Sequence, residues 1–421
     1  MLPADVRVLD DLIAAIEYQL AAYYDYGLGK AKQFLPTWDE LARELIGNDG
    51  FGRQLDRPRR SVREQVEALT AGLTTDLDKL RAIYDYLRTQ VTFDGNMGLF
   101  LDHDLDDVLK ARRGSSPEVA LLLVSMLREA GLEAYPVLIS TRSHGNIIDN
   151  YPLYSQFNDV IVRATAGGQT FLLDATDPLR PYDLLPFDAL NWRGWLVRKE
   201  DAQWIDIKTE SKYAHVAAVT AELSEDGTLT GTLSASDDGY SALYKRRTLK
   251  DDGAEKLVRE VLLDGLSDVR LDSHRVENAD DVAQPLQTKA SFSVPAYAQA
   301  AGDFLYLNPT LLDRTEENPL KLPERTFPVD FGYPGEYGYT VVMKLPDGYT
   351  VQEHPAGLNL ATASGGISFR RVVQVREGVL TLQARLVRPG VVFEPDEYAA
   401  LRDFYDRLVA AGAEQVVLKR I

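Results

Sequence analysis

Two hydrophobic periods divide the chain, and the change comes about a third of the way along. Up to residue 130, apolar side chains recur at three- and four-residue intervals, the spacing of helices that bury one face. Thr37-Trp38-Asp39-Glu40 sets a hydroxyl three residues before a carboxylate, the reciprocal cap of a helix start, and predicts a helix over 38–46. A polar linker rich in Gly, Arg and Pro is expected over 47–60, then a helix near 61–71. Thr75 caps a longer helix whose Leu77, Leu80, Ile83, Tyr84, Leu87 and Val91 share one face. A short helix over 104–112 ends at Gly114, and Ser115-Ser116-Pro117-Glu118 opens another. This helix differs from the rest: Val119 to Val124, Met126 and Leu127 surround its axis with apolar side chains, as in a helix buried on every side. Gly131 stops it.

Beyond Gly131 the period falls to two. Residues 135–141, 160–164 and 170–174 read as strands, separated by an irregular loop over 142–156 and a Gly167-Gly168 turn. After Trp204, alternating segments at 217–223, 228–236, 290–294, 339–345, 367–375 and 379–387 predict a β-sandwich. A helical insertion over about 238–264 interrupts it, and a helix over 396–411 precedes a short tail strand. Residues 1–33 stand apart, and the period of LIAAIEYQLAAYYDYGLG fits either a helix or a strand.

Length, charge and composition then remove whole classes of function. A chain of 421 residues suggests two to three domains. Its net charge of −18 repels phosphate backbones and anionic lipid, so nucleic acid is not an expected partner. There is no cysteine, which excludes thiol catalysis, disulfides and thiolate metal sites together. No run reaches the roughly eighteen apolar residues of a membrane helix, so no integral membrane segment is expected. The N-terminus is acidic where a signal peptide is basic, so no export signal is expected in the chain as given.

The stretch RGSSPEVALLLVSMLREAGLEAYPVLIST, followed by QFNDVIV and FLLDATDP, resembles the transglutaminase-like superfamily of papain-type folds. More narrowly it is similar to a group, frequent in Bacteroidetes, in which this domain sits between two β-rich domains of unknown function. LPTWDELARELI before it and PERTFPVDFGYP after it extend the likeness. The resemblance implies an α+β fold. A transglutaminase-like domain over 34–205 would set a buried helix on an antiparallel sheet, followed by a sandwich-like, mostly-β domain over 206–421. Residues 1–33 would be the remnant of a preceding β-rich domain. In the family a Gly-x-Cys element opens the buried helix, a His lies on the next strand and an Asp ends the strand after it. Laid on this chain, Ser116 takes the cysteine slot, Asp159 the histidine slot and Asp174 the aspartate slot. Members generally carry export signals, which implies a periplasmic or cell-envelope location.

With thiol and imidazole both replaced, the leading expectation is a pseudoenzyme: a binding or scaffold module for a protein, peptide or glycan, with no cofactor. The alternative is a serine-dependent peptidase, amidase or acyltransferase using Ser116 with Asp159 and Asp174, or with His144 from the 142–156 loop. That would need Asp159 raised to a neutral pKa by burial or by Asp174. A third reading is a structural role in envelope assembly. Against catalysis, Ser115 to Glu118 is itself a capping box, and Asp174 and Asp177 flank a turn whose backbone they can bond. Were Asp159, Asp174 and Asp177 to converge, they would suit a hard cation such as calcium. The five histidines, at 103, 144, 215, 274 and 354, show no zinc spacing. The acids Asp102, Asp104, Asp106 and Asp107 read as a helix N-terminus rather than a calcium loop. Arg112 and Arg113 read as dipole partners, or as holders of an anion. Trp192 and Trp195 are expected at the domain edge, and the aromatics of FGYPGEYGY in sandwich core and turns.

Overall fold

The structure, a computed structural model, describes residues 22–25, 27, 29–33 and 37–421. These residues divide into two compact units, one ending at Thr209 and one beginning at Glu210. Most of the segment expected to be a domain remnant, 1–33, lies outside the described residues. Within it, β1 (Ala22–Asp25) pairs antiparallel with β2 (Lys30–Gln33).

In the first unit, helix α1 (Trp38–Ile46) starts at the Thr37 box: the Glu40 N–H donates to Thr37 Oγ1 at 3.3 Å and the Thr37 N–H to Glu40 Oε2 at 2.8 Å. The expected linker over 47–60 is not continuous, because α2 (Gly52–Asp56) forms inside it. Fully buried Phe51 anchors that turn, and Gly52 packs so close that a Cβ there would lie 2.3 Å from Ile46 Cα. Helices α3 (Arg60–Thr70) and α4 (Asp76–Gln90) follow. Strand β3 (Thr92–Phe93), helix α5 (Leu105–Ala111) and strand β4 (Arg113–Gly114) lead into α6 (Ser116–Glu129). The parallel β3–β4 pair fixes where α6 begins.

Helix α6 is buried at all but three of its positions. It packs on the antiparallel sheet formed by β5 (Glu133–Ile139), β6 (Asp159–Ala166), β7 (Gln169–Leu173), β8 (Arg193–Leu196) and β9 (Gln203–Asp206), in the order β7-β6-β5-β8-β9. Trp195 is buried and joins Trp38 and Trp204 at centroid distances of 4.9–5.0 Å. Trp192, also expected to pack at the domain edge, is instead 57% exposed at φ 61°.

The second unit opens with β10 (Tyr213–Leu223), β11 (Leu229–Gly239), helices α7 (Tyr240–Asp252) and α8 (Ala254–Lys256), and a π-turn at Leu257–Leu262. Strands β12 (Arg270–Glu277), β13 (Leu286–Val294), β14 (Gln299–Ala301), β15 (Phe304–Leu307), β16 (Val329–Asp330), β17 (Gly335–Lys344) and β18 (Tyr349–Glu353) follow. Then come β19 (Leu358–Ala361), β20 (Ser368–Arg376), β21 (Val379–Arg388), β22 (Val392–Phe393), helix α9 (Tyr398–Gly412) and β23 (Val416–Arg420). Eight strands form one sheet, β12-β13-β11-β10-β17-β21-β20-β19, and β14-β15-β23-β18 form a second. One continuous apolar core takes residues from both sheets and from α9. The large sheet is mixed, because β10 and β17 run parallel.

Leu122 of α6 is fully buried. Leu122→Ala should cost about 2–5 kcal/mol through lost burial and the cavity left behind. Denaturant melts of the full chain measure it, and a loss under about 1 kcal/mol would mean that α6 is not packed as described.

Candidate functional site

The polar end of α6 is built by the sequence around its start. A helix this deeply buried cannot leave its first N–H groups to solvent, so they must be satisfied from within. Ser115 is the N-cap residue, and its own N–H is accepted by Glu118 Oε2 at 2.8 Å. The Ser116 N–H donates to the Asn96 carbonyl at 2.9 Å. Glu118 also accepts the His103 N–H at 2.9 Å and faces His103 Nδ1 at 2.9 Å. Burial opposes ionisation of Glu118, yet the Ser115 N–H and the His103 contacts hold its carboxyl below the usual range. The segment 94–103 is thereby tied across the helix start. Gly114 suits this spot because a Cβ would lie 3.0 Å from Val108 Cγ1 and 3.1 Å from Glu118.

Ser116, Asp159 and Asp174 come together here. The Ser116 hydroxyl donates to Asp159 Oδ1 at 2.5 Å, and the same oxygen accepts the Val160 N–H at 2.8 Å. Ser116 is 3% exposed and Asp159 5%. Burial, reinforced by the Asp174 charge, pushes the Asp159 carboxyl up to about 7, while the Ser116 and Val160 hydrogen bonds and Arg180 oppose the shift. Asp174 follows directly on β7 and turns toward its own loop: its Oδ1 accepts the Thr176 N–H at 2.8 Å and the Thr176 hydroxyl at 2.6 Å. Arg180, itself buried, reaches the same oxygen at 2.9 Å and lies 3.7 Å from Asp177. Tyr84 of α4 completes the floor, donating to the Asp174 carbonyl at 2.8 Å.

Arg180 stands beside the carboxylates of the cation reading. Its guanidinium pairs with Asp174 and approaches Asp177, and Asp177 accepts the Leu179 N–H at 2.9 Å, so both carboxylates already have partners. Among the described residues no group of three His, Cys, Asp or Glu is placed to hold a metal. His144, the loop base of the alternative reading, turns its Nε2 to the Ser155 carbonyl at 3.1 Å. Arg112 is the left-handed C-cap of α5 at φ 52°. The acids at the start of α5 bind residues of the 52–60 region: Asp104 accepts from Gln54 at 2.7 Å, and Asp106 pairs with Arg59 at 2.5 Å. Sequence reasoning missed Arg180, Asn96 and the His103–Glu118 contact. Only Arg180 had a signal, as a lone base three and six residues after two turn aspartates in DATDPLR.

Residues 63–223 match the transglutaminase-like superfamily. Residues 303–418 match a domain of unknown function, DUF3858, for which a structure has been solved. A candidate protease from Parabacteroides distasonis ATCC 8503 superposes over 97% of this chain with a TM-score of 0.57 at 12% identity, a likeness of fold alone. The chain spans 64% of that protein's length. A transglutaminase superposes over 33% of this chain and 31% of its own, with a TM-score of 0.20 at 17% identity. An M1 zinc metallopeptidase from Deinococcus radiodurans does so over 51% and 43%, with a TM-score of 0.19 at 11% identity. Scores that low support no argument. Among curated proteins no match was found. The transglutaminase-like domain therefore holds Ser116, Asp159 and Asp174 at the head of its buried helix.

The Asp159 shift makes a pH prediction. Its folded value, about 7, lies above the ordinary 3.8, so between these limits the folded domain keeps a proton that the unfolded chain has released. The resulting stabilisation is complete below the lower limit and is lost as pH rises through the upper one. Asp159→Asn should flatten the fall in melting temperature between about pH 4 and 8, a difference on the order of a few kcal/mol. Parallel pH profiles for variant and wild type would show that Asp159 takes up no such proton.

Proposed function

We propose that the transglutaminase-like domain is non-catalytic and works as a rigid binding or scaffold module for a protein, peptide or glycan. The observation that supports this most is the state of Ser116. Its hydroxyl is committed to Asp159, its N–H is committed to Asn96, and its side chain has almost no exposed surface. An acyl-transfer nucleophile needs open access to a carbonyl carbon and free N–H donors where the oxyanion forms. Here the 94–103 segment takes one such donor and lies over the helix start. The chain also has no thiol to deprotonate.

One observation favours the second reading, a serine-dependent hydrolase. A carboxyl near pKa 7 within 2.5 Å of a hydroxyl is poised as a general base at neutral pH. That reading requires the 94–103 segment to open and admit a substrate. Incubation with a fluorophosphonate probe separates the two. Ser116 should remain unlabelled at neutral pH, and Ser116→Ala should cost about 1–2 kcal/mol of stability without removing any esterase or peptidase activity. Labelling that disappears in Ser116→Ala and weakens in Asp159→Asn would establish the hydrolase instead.

A further inference from the structure

The large sheet of the second unit departs from its own pattern at one end. Along β10, β11, β17 and β21 the inward positions are mostly Val, Leu, Ala and Met, as a sandwich core requires. Near Tyr213 and Gly335 the same face turns polar and aromatic. His215 sits opposite Asp237 on β11 and Tyr337 on β17, and the next row sets Tyr339 beside Ala217 and Ala384, with Arg371 beyond. A buried charge weakens a core unless it is paired, and a rule broken locally in this way marks a site more often than a fold requirement.

The pairing is dense. Asp237, with no exposed surface, receives Lys245 Nζ at 2.6 Å, Ser241 Oγ at 2.6 Å and His215 Nδ1 at 2.6 Å. Asp313 Oδ2 lies 3.4 Å from His215 Nε2 on the other side of the ring. Burial works against the Asp237 carboxylate, but His215 and Lys245 hold it below the usual carboxylate range. Beside this cluster the small side chains of Ala384 and Gly412 help to leave a cavity of about 610 Å³, within the roughly 300–1,000 Å³ of small-molecule sites. Lys245, Asp313, Arg371 and the rings of Tyr213, Tyr337 and Tyr339 form part of its wall. Arg371 is 3% exposed, and its Nε has no hydrogen-bond partner among the described residues.

The charge on the wall selects the ligand class. Five basic and five acidic side chains line the cavity, and each basic one already holds a carboxylate, as Lys245 holds Asp237 and Arg371 holds Glu414 at 2.5 Å. An anion would have to displace those carboxylates. A neutral polyol need not, because paired ammonium, guanidinium and carboxylate groups keep spare N–H donors and lone pairs for hydroxyls. Tyrosine rings supply flat apolar surface for the C–H face of a sugar ring. We propose that this cavity binds a neutral saccharide of one or two units, packed against Tyr213 and Tyr337, whose rings stack with centroids 4.9 Å apart, and hydrogen-bonded by Asp313, Lys245 and Arg371. The proposal is independent of the reading given for Ser116.

The full chain is titrated by calorimetry with N-acetylglucosamine, cellobiose, lactose and maltose, and in parallel with putrescine and glutamate. At least one sugar should bind saturably, with a Kd of about 1 mM or tighter. Asp313→Asn, at a partly exposed position, should weaken it about tenfold through loss of a charged acceptor, and Tyr337→Leu should do so through loss of the ring. Should Tyr337→Leu fail to fold, Asp313→Asn decides alone. Absence of sugar binding, binding of putrescine or glutamate in its place, or sugar affinity unchanged by Asp313→Asn would overturn the proposal.

Discussion

A helix apolar on every side can exist only if its first turn is satisfied from inside the protein. Around α6 that requirement dictates the chemistry of its surroundings. Glu118 must fold back on the Ser115 N–H, and Asn96 must supply a carbonyl to Ser116. The segment between β3 and α5 must therefore run across the helix start. The sheet behind the helix then brings Asp159 to the Ser116 hydroxyl, which leaves a carboxyl in surroundings too dry to ionise easily. Asp174, by contrast, has a buried partner of its own, the Arg180 guanidinium at 2.9 Å.

The local signals of this arrangement were legible in the chain. Thr37, Thr75 and Ser115 announce helix starts because caps are written within four residues. The all-round apolar character of 119–127 announces burial without reference to any partner. The short apolar segments read at 135–141, 160–164 and 170–174 do the same for the sheet, whose strands run over 133–139, 159–166 and 169–173. The likeness carried by RGSSPEV, QFNDV and LLDATDP placed Ser116, Asp159 and Asp174, and the structure brings these three together.

What stayed hidden depends on chain segments far apart in sequence. Nothing in Asn96 shows that its carbonyl will meet Ser116, and no periodicity marks β12, whose positions are mostly exposed. The turn α2 was lost in a stretch of Gly, Arg and Asp because its anchor is one aromatic, Phe51, rather than a pattern. The polar strip of the second sheet was concealed for the same reason. His215, Asp237 and Tyr337 lie on three strands, and each alone is an unremarkable inward position. Only the register that aligns them reveals a row. FGYPGEYGY reads as core and turn, yet two of its tyrosines line a cavity.

The parallel β10–β17 pair has a consequence for how the second unit is made. Glu222 and Lys344, neighbours across that pair, are separated by 122 residues of chain. The hairpins β10–β11 and β20–β21 close on short turns and can form early, each stabilised by its own ladder. The central seam cannot, because its closure entropy must be met before any of its hydrogen bonds exist. The two halves of the sheet should therefore assemble separately and join last. The row running from His215 to Tyr337 crosses that seam, so the lining of the cavity would be among the final surfaces of the unit to take shape.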